Sequence, residues 1–323
     1  MATDNKAVLY AVEKAFIKAQ EEKNAPPLYT LKPEEAREVL VEAQNGPVKL
    51  PEADVREVDI RTADGEVSVL IARPGGAQGP LPCLVYLHGG GWVMGEWSTH
   101  ERLVRELAVG AGIAVAFPEY TPSPEAQYPA TYRQVWSVLE ELAANPDVYG
   151  IDGKRIAVGG DSAGGYLAIV MALLAKERQG PKLAFQLLFY PVTGADFDTE
   201  SYRRFQDGPW LTREAMRWFW EQYLPDKAQR ADMLASPVNA DEKALQGLPP
   251  ALVVTAENDV LRDEGEAFAD KLDAAGVAVA SVRVRGTFHD FAMLNALADS
   301  PATRAAVALA VTMLASHLGA GGR

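Results

Sequence analysis

The strongest constraint in this chain is the run Gly159-Gly160-Asp161-Ser162-Ala163-Gly164-Gly165. It follows residues 155–158, a short apolar run with the character of a buried strand. It precedes residues 166–178, an Ala-, Leu-, Ile- and Met-rich stretch that predicts a helix. A serine between glycines at a strand-to-helix corner has the form of a nucleophile elbow. So sharp a turn strains the serine backbone and leaves no room for side chains at positions 160 and 164. The consequence is geometric. The hydroxyl stands at the tip of a sheet, and the first N–H groups of the following helix point at the reacting centre. A glycine-rich helix start with no chemistry carries the same pattern, so the other parts of a hydrolytic site have to be found elsewhere in the chain.

The length of 323 residues suits one large α/β domain with an insertion or a cap. The net charge of −13 argues against a nucleic-acid partner, whose phosphates need a basic surface, and against polybasic membrane attachment. No segment has the apolar length of a membrane span, so no stable membrane association is expected. The single cysteine, Cys83, excludes an intramolecular disulfide and sits in an apolar strand pattern, as a small core residue does. The N-terminus carries Asp4, Glu13, Glu21 and Glu22 and lacks the apolar core of a signal peptide; the expected location is the cytoplasm.

Residues 4–22 place Val8, Leu9, Val12, Phe16 and Ile17 at helical spacing, and a second helix is expected over 33–44, with Pro33 in its first turn. These helices precede any strand, and a cap over the later sheet is their natural role. Alternating residues 55–60 and 67–71, joined by Asp64-Gly65, predict an antiparallel hairpin. Strands then recur at 84–87, 113–117, 156–158, 184–190, 251–255 and 279–284. Helices are expected near 101–109, 130–144, 166–178, 264–275 and 301–318. Apolar strands alternating with helices imply a mostly parallel sheet covered on both faces, with the hairpin at one edge. Residues 194–247 break the rhythm. They hold no convincing strand, a dense aromatic set and one helix over 212–223 with Thr212 as its N-cap. The expected organisation is a cap segment at 1–50, the first part of a core at 51–193, a cap insertion at 194–247 and the rest of the core at 248–323.

His88-Gly89-Gly90-Gly91-Trp92 directly follows the strand at 84–87. Consecutive glycines let the backbone approach a ligand closely and aim N–H groups at a developing oxyanion. Gly89 and Gly90, with Ala163 from the elbow, are the candidate donors. Four histidines compete to serve Ser162 as base. His88 belongs to the glycine loop, His100 begins a helix and His317 lies near the end of the last one. His289, just after the final strand, is at the sheet edge where the elbow also sits. Asp259 follows the strand at 251–255 and is the candidate acid that orients the base. Asp263 and Glu264 are rivals that fall in a helix start, where acidic residues are favoured anyway. Trp92, Asp161 and Trp210 are the candidate substrate contacts. The order Ser162, Asp259, His289 differs from the chymotrypsin and subtilisin orders.

From about residue 55 to its end, and more weakly before, the chain resembles the hormone-sensitive-lipase-like, or bacterial family IV, branch of the α/β-hydrolases. The resemblance rests on His88-Gly89-Gly90-Gly91, on Gly160-Asp161-Ser162-Ala163-Gly164-Gly165, and on Glu119-Tyr120 with Pro124-Glu125 and Tyr128-Pro129-Ala130. It rests also on Asn258-Asp259-Val260-Leu261-Arg262-Asp263-Glu264 and on His289-Asp290-Phe291. It implies an α/β-hydrolase fold with a mostly parallel eight-stranded sheet, helices on both faces and a helical cap. It implies a carboxylesterase acting on small-molecule esters through an acyl-enzyme, with no metal or organic cofactor. Val260, Asp290 and Tyr166 stand where that branch often has proline, glycine and asparagine. Asp290 adds a carboxylate beside the expected base. A narrow pocket is expected to favour acetyl to hexanoyl esters. Amide, lactone or formamide hydrolysis by the same residues is the rival reading. A non-catalytic receptor on this fold is disfavoured by the presence of His289. Some members pair through an exposed final strand, here 279–284, which extends to this chain the expectation of a homodimer.

Overall fold

A computed structural model describes residues 7–319. Its centre is an eight-stranded sheet with strands β1 (Ala53–Thr62), β2 (Gly65–Pro74), β3 (Leu81–Leu87), β4 (Ala114–Glu119), β5 (Ile151–Asp161), β6 (Leu183–Phe189), β7 (Ala251–Asn258) and β8 (Val279–Phe288). The spatial order is β1-β2-β4-β3-β5-β6-β7-β8. β1 and β2 form the expected hairpin, and β2 runs antiparallel to β4; all other neighbours are parallel. β3 is buried along almost its whole length, as a strand covered on both faces must be. β8, at the edge, alternates half-buried and exposed residues over most of its length.

The helices are α1 (Ala11–Glu22), α2 (Pro33–Ala43), α3 (Trp97–Ala111), α4 (Ala130–Ala144), α5 (Pro146–Tyr149), α6 (Ala163–Glu177), α7 (Glu200–Arg204), α8 (Arg213–Tyr223), α9 (Glu242–Leu245), α10 (Arg262–Ala274) and α11 (Pro301–Leu318). α3 packs on α11, and α4 packs on α6, each pair also contacting the sheet. α6 is almost wholly buried through its first three turns, so it is apolar on every side rather than amphipathic. It begins at Ala163, earlier than the expected 166, because the elbow glycines are themselves helical. No described helix is long and apolar enough to cross a membrane.

The expected N-terminal stripe is only partly present. α1 starts at Ala11; residues 4–6 of the expected helix lie outside the described residues. Val8 and Val12 are exposed, whereas Glu13 and Phe16 are buried. The segment's place is fixed largely by polar clasps. Asn258 exchanges hydrogen bonds with the Val8 backbone in both directions, 2.9 and 3.0 Å. The Tyr10 N–H donates to the Gly286 carbonyl at 3.0 Å. Arg37 on α2 donates to the Val93 carbonyl at 2.9 Å and pairs with Glu125 at 2.6 Å. Residues 194–247 carry no strand. Thr212 caps α8 by accepting from the Ala215 N–H, and α9 packs back on α10.

Among the described glycines, the tightest approach lies where the corner between β5 and α6 meets the end of β3. A β-carbon at Gly164 would overlap the Leu87 carbonyl, and one at Gly160 would overlap Leu87 and Gly164 backbone atoms. Backbone cannot yield as a flexible side chain does, so even one methyl group overpacks this corner. Gly164→Ala is therefore expected to destabilise the protein by at least about 1–3 kcal/mol. A thermal melt followed by circular dichroism checks it; an unchanged midpoint contradicts the packing described.

Candidate active site

Ser162 occupies the corner between β5 and α6 with φ 53° and ψ −119°. A non-glycine residue held there stores about 1–3 kcal/mol of strain, sustained by its surroundings. The Ser162 N–H donates to the Phe189 carbonyl at 2.9 Å, and the Ser162 carbonyl accepts from Tyr166 and Val192, each at 3.1 Å. The turn is thereby tied to both α6 and the segment after β6.

Because β5, β7 and β8 are parallel, their C-terminal ends share one edge of the sheet. Ser162 follows β5, Asp259 follows β7 and His289 follows β8. All three are almost fully buried. His289 Nε2 lies 2.9 Å from Ser162 Oγ, and His289 Nδ1 lies 2.7 Å from Asp259 Oδ2. Asp259 Oδ1 accepts from the Leu261 N–H at 2.9 Å, which fixes the carboxylate's orientation. Burial pulls the His289 imidazolium down. The carboxylates of Asp259 and Asp290 outweigh it and hold the pKa up at about 9. With Nδ1–H donating to Asp259, the lone pair on Nε2 faces the serine hydroxyl, the arrangement in which a serine proton can move to the ring.

The other acidic and basic candidates lie elsewhere. Asp263 pairs with Arg262, and its other oxygen accepts from the Ser201 N–H. The buried Glu264 accepts from the Thr193 and Gly194 N–H groups; burial pushes its pKa up to about 8. His100 lies 3.4 Å from Asp161, and His317 stacks on Phe185. Burial, with His100 nearby, pushes His88 down to about 3, so its ring stays neutral. That ring stacks on Tyr120 at 4.1 Å, and the Tyr120 hydroxyl donates to the His88 carbonyl at 2.7 Å. His88 thus braces the glycine loop from behind.

Gly90 and Gly91 adopt φ 101° and 61°, and both line a cavity of about 140 Å³ that ends on Ser162 and His289. The Gly90 carbonyl accepts from Val93 and Met94 N–H groups, closing the loop into a tight turn. Among the described residues the Gly90 and Gly91 N–H groups have no acceptor. Gly89 is the first of the expected donors. It abuts the Asp161 carboxylate, where a β-carbon would collide, and is absent from the cavity wall. Gly91, which is not among the expected donors, lines that wall. Ala163, the third expected donor, opens α6 beside Ser162.

Two of the three expected substrate contacts do not line the cavity. Trp92 is fully buried and stacks on Tyr223 at 4.4 Å, with Trp220 and Tyr166 edge-on. Its backbone is left-handed, φ 62°, and its ring lies against α8. Asp161 is also fully buried. It accepts from the Tyr86 hydroxyl at 2.7 Å, and although burial opposes its ionisation, His100 and Tyr86 hold its pKa below the usual range. Trp210 does line the cavity. So do residues not singled out in the sequence. Leu28, Val39 and Leu40 come from the N-terminal segment, and Leu211, Ala215, Met216 and Phe219 from α8 and the residues before it. The α8 set was available in principle, since positions 215, 216 and 219 share one helical face.

Residues 84–293 match the protein family described as alpha/beta hydrolase fold. The chain is 42% identical over 253 residues to Carboxylesterase NlhH of Mycobacterium tuberculosis, covering 76% of this chain and 78% of that protein. It is 33% identical over 280 residues to Ethyl acetate hydrolase of Pseudomonas putida, covering 84% and 87%. The crystal structure of a thermostable esterase from Pseudomonas putida ECU1011 superposes with a TM-score of 0.95 at 46% identity, covering 97% of this chain and 98% of that one. This chain belongs to the α/β-hydrolase family, and within it to the carboxylic ester hydrolases.

Proposed function

We propose that the chain hydrolyses short- to medium-chain acyl esters through an acyl-enzyme on Ser162. The observation that carries this reading is the unbroken line Ser162 Oγ, His289, Asp259, with contacts of 2.9 and 2.7 Å, at the floor of an apolar cavity. His289 Nε2 takes the Ser162 proton as Oγ bonds to the ester carbonyl carbon. The Gly90, Gly91 and Ala163 N–H groups stabilise the tetrahedral oxyanion. As the C–O bond breaks, Nε2 returns the proton to the leaving alcohol. Water then attacks the acyl-enzyme by the same route and frees the acid. Asp259 holds the ring in the productive tautomer and stabilises the imidazolium.

The size of the cavity supports the limit on chain length. About 140 Å³ is close to the ~150 Å³ of an apolar protein cavity that benzene fills. Acetyl to hexanoyl groups fit such a volume, and a long acyl chain exceeds it. On a series of p-nitrophenyl esters, kcat/KM is expected to be highest between acetyl and hexanoyl and to fall for decanoyl and longer. Faster cleavage of emulsified long-chain triglycerides contradicts this.

Ser162→Ala and His289→Ala are each expected to lower kcat on p-nitrophenyl butyrate by about 10⁴-fold or more, with the fold intact. Near-normal turnover in either variant rules the mechanism out. Only neutral His289 accepts the serine proton, and its pKa is raised from 6.5 to about 9. Protonation therefore removes activity as the pH falls through that value. The acid limb of kcat/KM is expected well above 6.5, in the direction of 9. A limb at the ordinary histidine value contradicts the electrostatics described.

A further inference from the structure

The edge of His289 that faces Ser162 also faces a second carboxylate. Asp290 Oδ1 lies 3.4 Å from His289 Nε2, the nitrogen that is 2.9 Å from Ser162 Oγ. Asp259 holds Nδ1 on the opposite edge, so the ring stands between two carboxylates. The other Asp290 oxygen, Oδ2, accepts a 2.8 Å bond from Trp210 Nε1–H. Asp290 and Trp210 both hold left-handed backbones, φ 67° and 65°, which non-glycine residues seldom adopt. Trp210 is braced in turn. Its ring stands edge-on to Phe16 of α1 at 5.4 Å, and Phe16 stacks on Phe288, the neighbour of His289, at 5.8 Å. Residues from both segments that roof the cavity thus converge on the base from the side where chemistry occurs.

We propose that Trp210 is a positioning residue that acts through Asp290: it fixes that carboxylate against the Nε2 edge of His289, and so the roof of the cavity sets the pH at which the base becomes free. The proposal rests on His289 being the base. A carboxylate oxygen facing the lone pair of neutral Nε2 is repelled; facing Nε2–H of the imidazolium it is attracted. A fixed, ionised Asp290 therefore favours the protonated ring. Burial, with Asp161 and Asp259 nearby, holds the Asp290 carboxyl above its usual range, while His289 and the Trp210 donor work for its ionisation. Losing the indole N–H weakens the charge, lowers the proton affinity of His289 and leaves the base free at lower pH.

The other groups around the ring do not act on Nε2 in this way. Asp259 engages Nδ1. Asp161, at the end of β5, acts from farther off and is bonded to Tyr86 and His100. Tyr190, at the end of β6, stands edge-on to the imidazole at 4.9 Å, and burial raises its phenol well above the usual value, so it is uncharged. Among the described residues, Ser162 and Asp290 are the polar partners of Nε2.

The test compares kcat/KM against pH on p-nitrophenyl butyrate for the wild type, Asp290→Asn, Trp210→Phe and the double variant. Phenylalanine keeps a ring against Phe16 and removes only the donor; Trp210→Leu repeats the test with a different side chain. The acid limb of Asp290→Asn is expected to move down by about one pH unit, the low end of the ~1–3 units that an adjacent charge contributes. Both Trp210 variants are expected to move it the same way by less, and the double variant to match Asp290→Asn alone. Trp210 variants whose limb coincides with wild type, even with reduced kcat, overturn the proposal. So does a double variant that moves further than Asp290→Asn. Failure of the underlying reading is separate and visible: His289→Ala would then keep its activity, whatever the Trp210 variants do.

Discussion

The corner between β5 and α6 admits no β-carbon at positions 160 or 164, and the rest of the site is laid out from that exclusion. Three strands of backbone meet there: the end of β3, the turn itself and the first turn of α6. Because they touch, the loop after β3 is pressed directly against Ser162. That contact turns a flexible Gly89-Gly90-Gly91 run into a wall of fixed geometry. His88, stacked on Tyr120, closes it from behind, and the Asp161 carboxylate fills the space that Gly89 leaves. Donors that are already in place before reaction need not reorganise when charge develops.

Electrostatically, the centre is richer in carboxylates than in cations. Asp161, Asp259 and Asp290 all lie within reach of His289, and each is handled differently. Asp161 is ionised, paired with His100 and the Tyr86 hydroxyl behind the wall. Asp259 is bonded to one edge of the imidazole, and Asp290 faces the other, held by an indole from the roof. The distinction that matters is which ring nitrogen a carboxylate faces. One on Nδ1 favours a tautomer; one on Nε2 favours the protonated ring.

Much of this was legible in the chain because the signals are local. Gly160 and Gly164 declare a steric need in five residues. Asp64-Gly65 marks the hairpin, and Thr212 marks the start of α8; α4 and α11 begin and end where the sequence pattern places them. That residues 162, 259 and 289 meet follows from parallel strands ending at one edge. What could not be read locally is direction. Three successive glycines look alike, yet Gly90 and Gly91 line the cavity while Gly89 lies against the Asp161 carboxylate. Trp92 adjoins the loop yet points into the Tyr223 and Trp220 cluster, from a left-handed backbone. α1 buries Glu13 beside Phe16 because hydrogen bonds to Asn258 and Gly286, more than apolar periodicity, fix where the segment lies. The cavity's roof comes from residues far apart in the chain, and no window of sequence contains it.

The central claim is that Ser162 is made uniquely reactive by its position against His289. Labelling the folded protein with an alkyl p-nitrophenyl phosphonate, followed by intact-mass and peptide mass spectrometry, tests it most directly. The account predicts one adduct per chain, on the peptide that contains Ser162, with labelling slowed severely in His289→Ala. An inactivated protein whose adduct lies on another residue, or labelling of Ser162 at the same rate without His289, contradicts it.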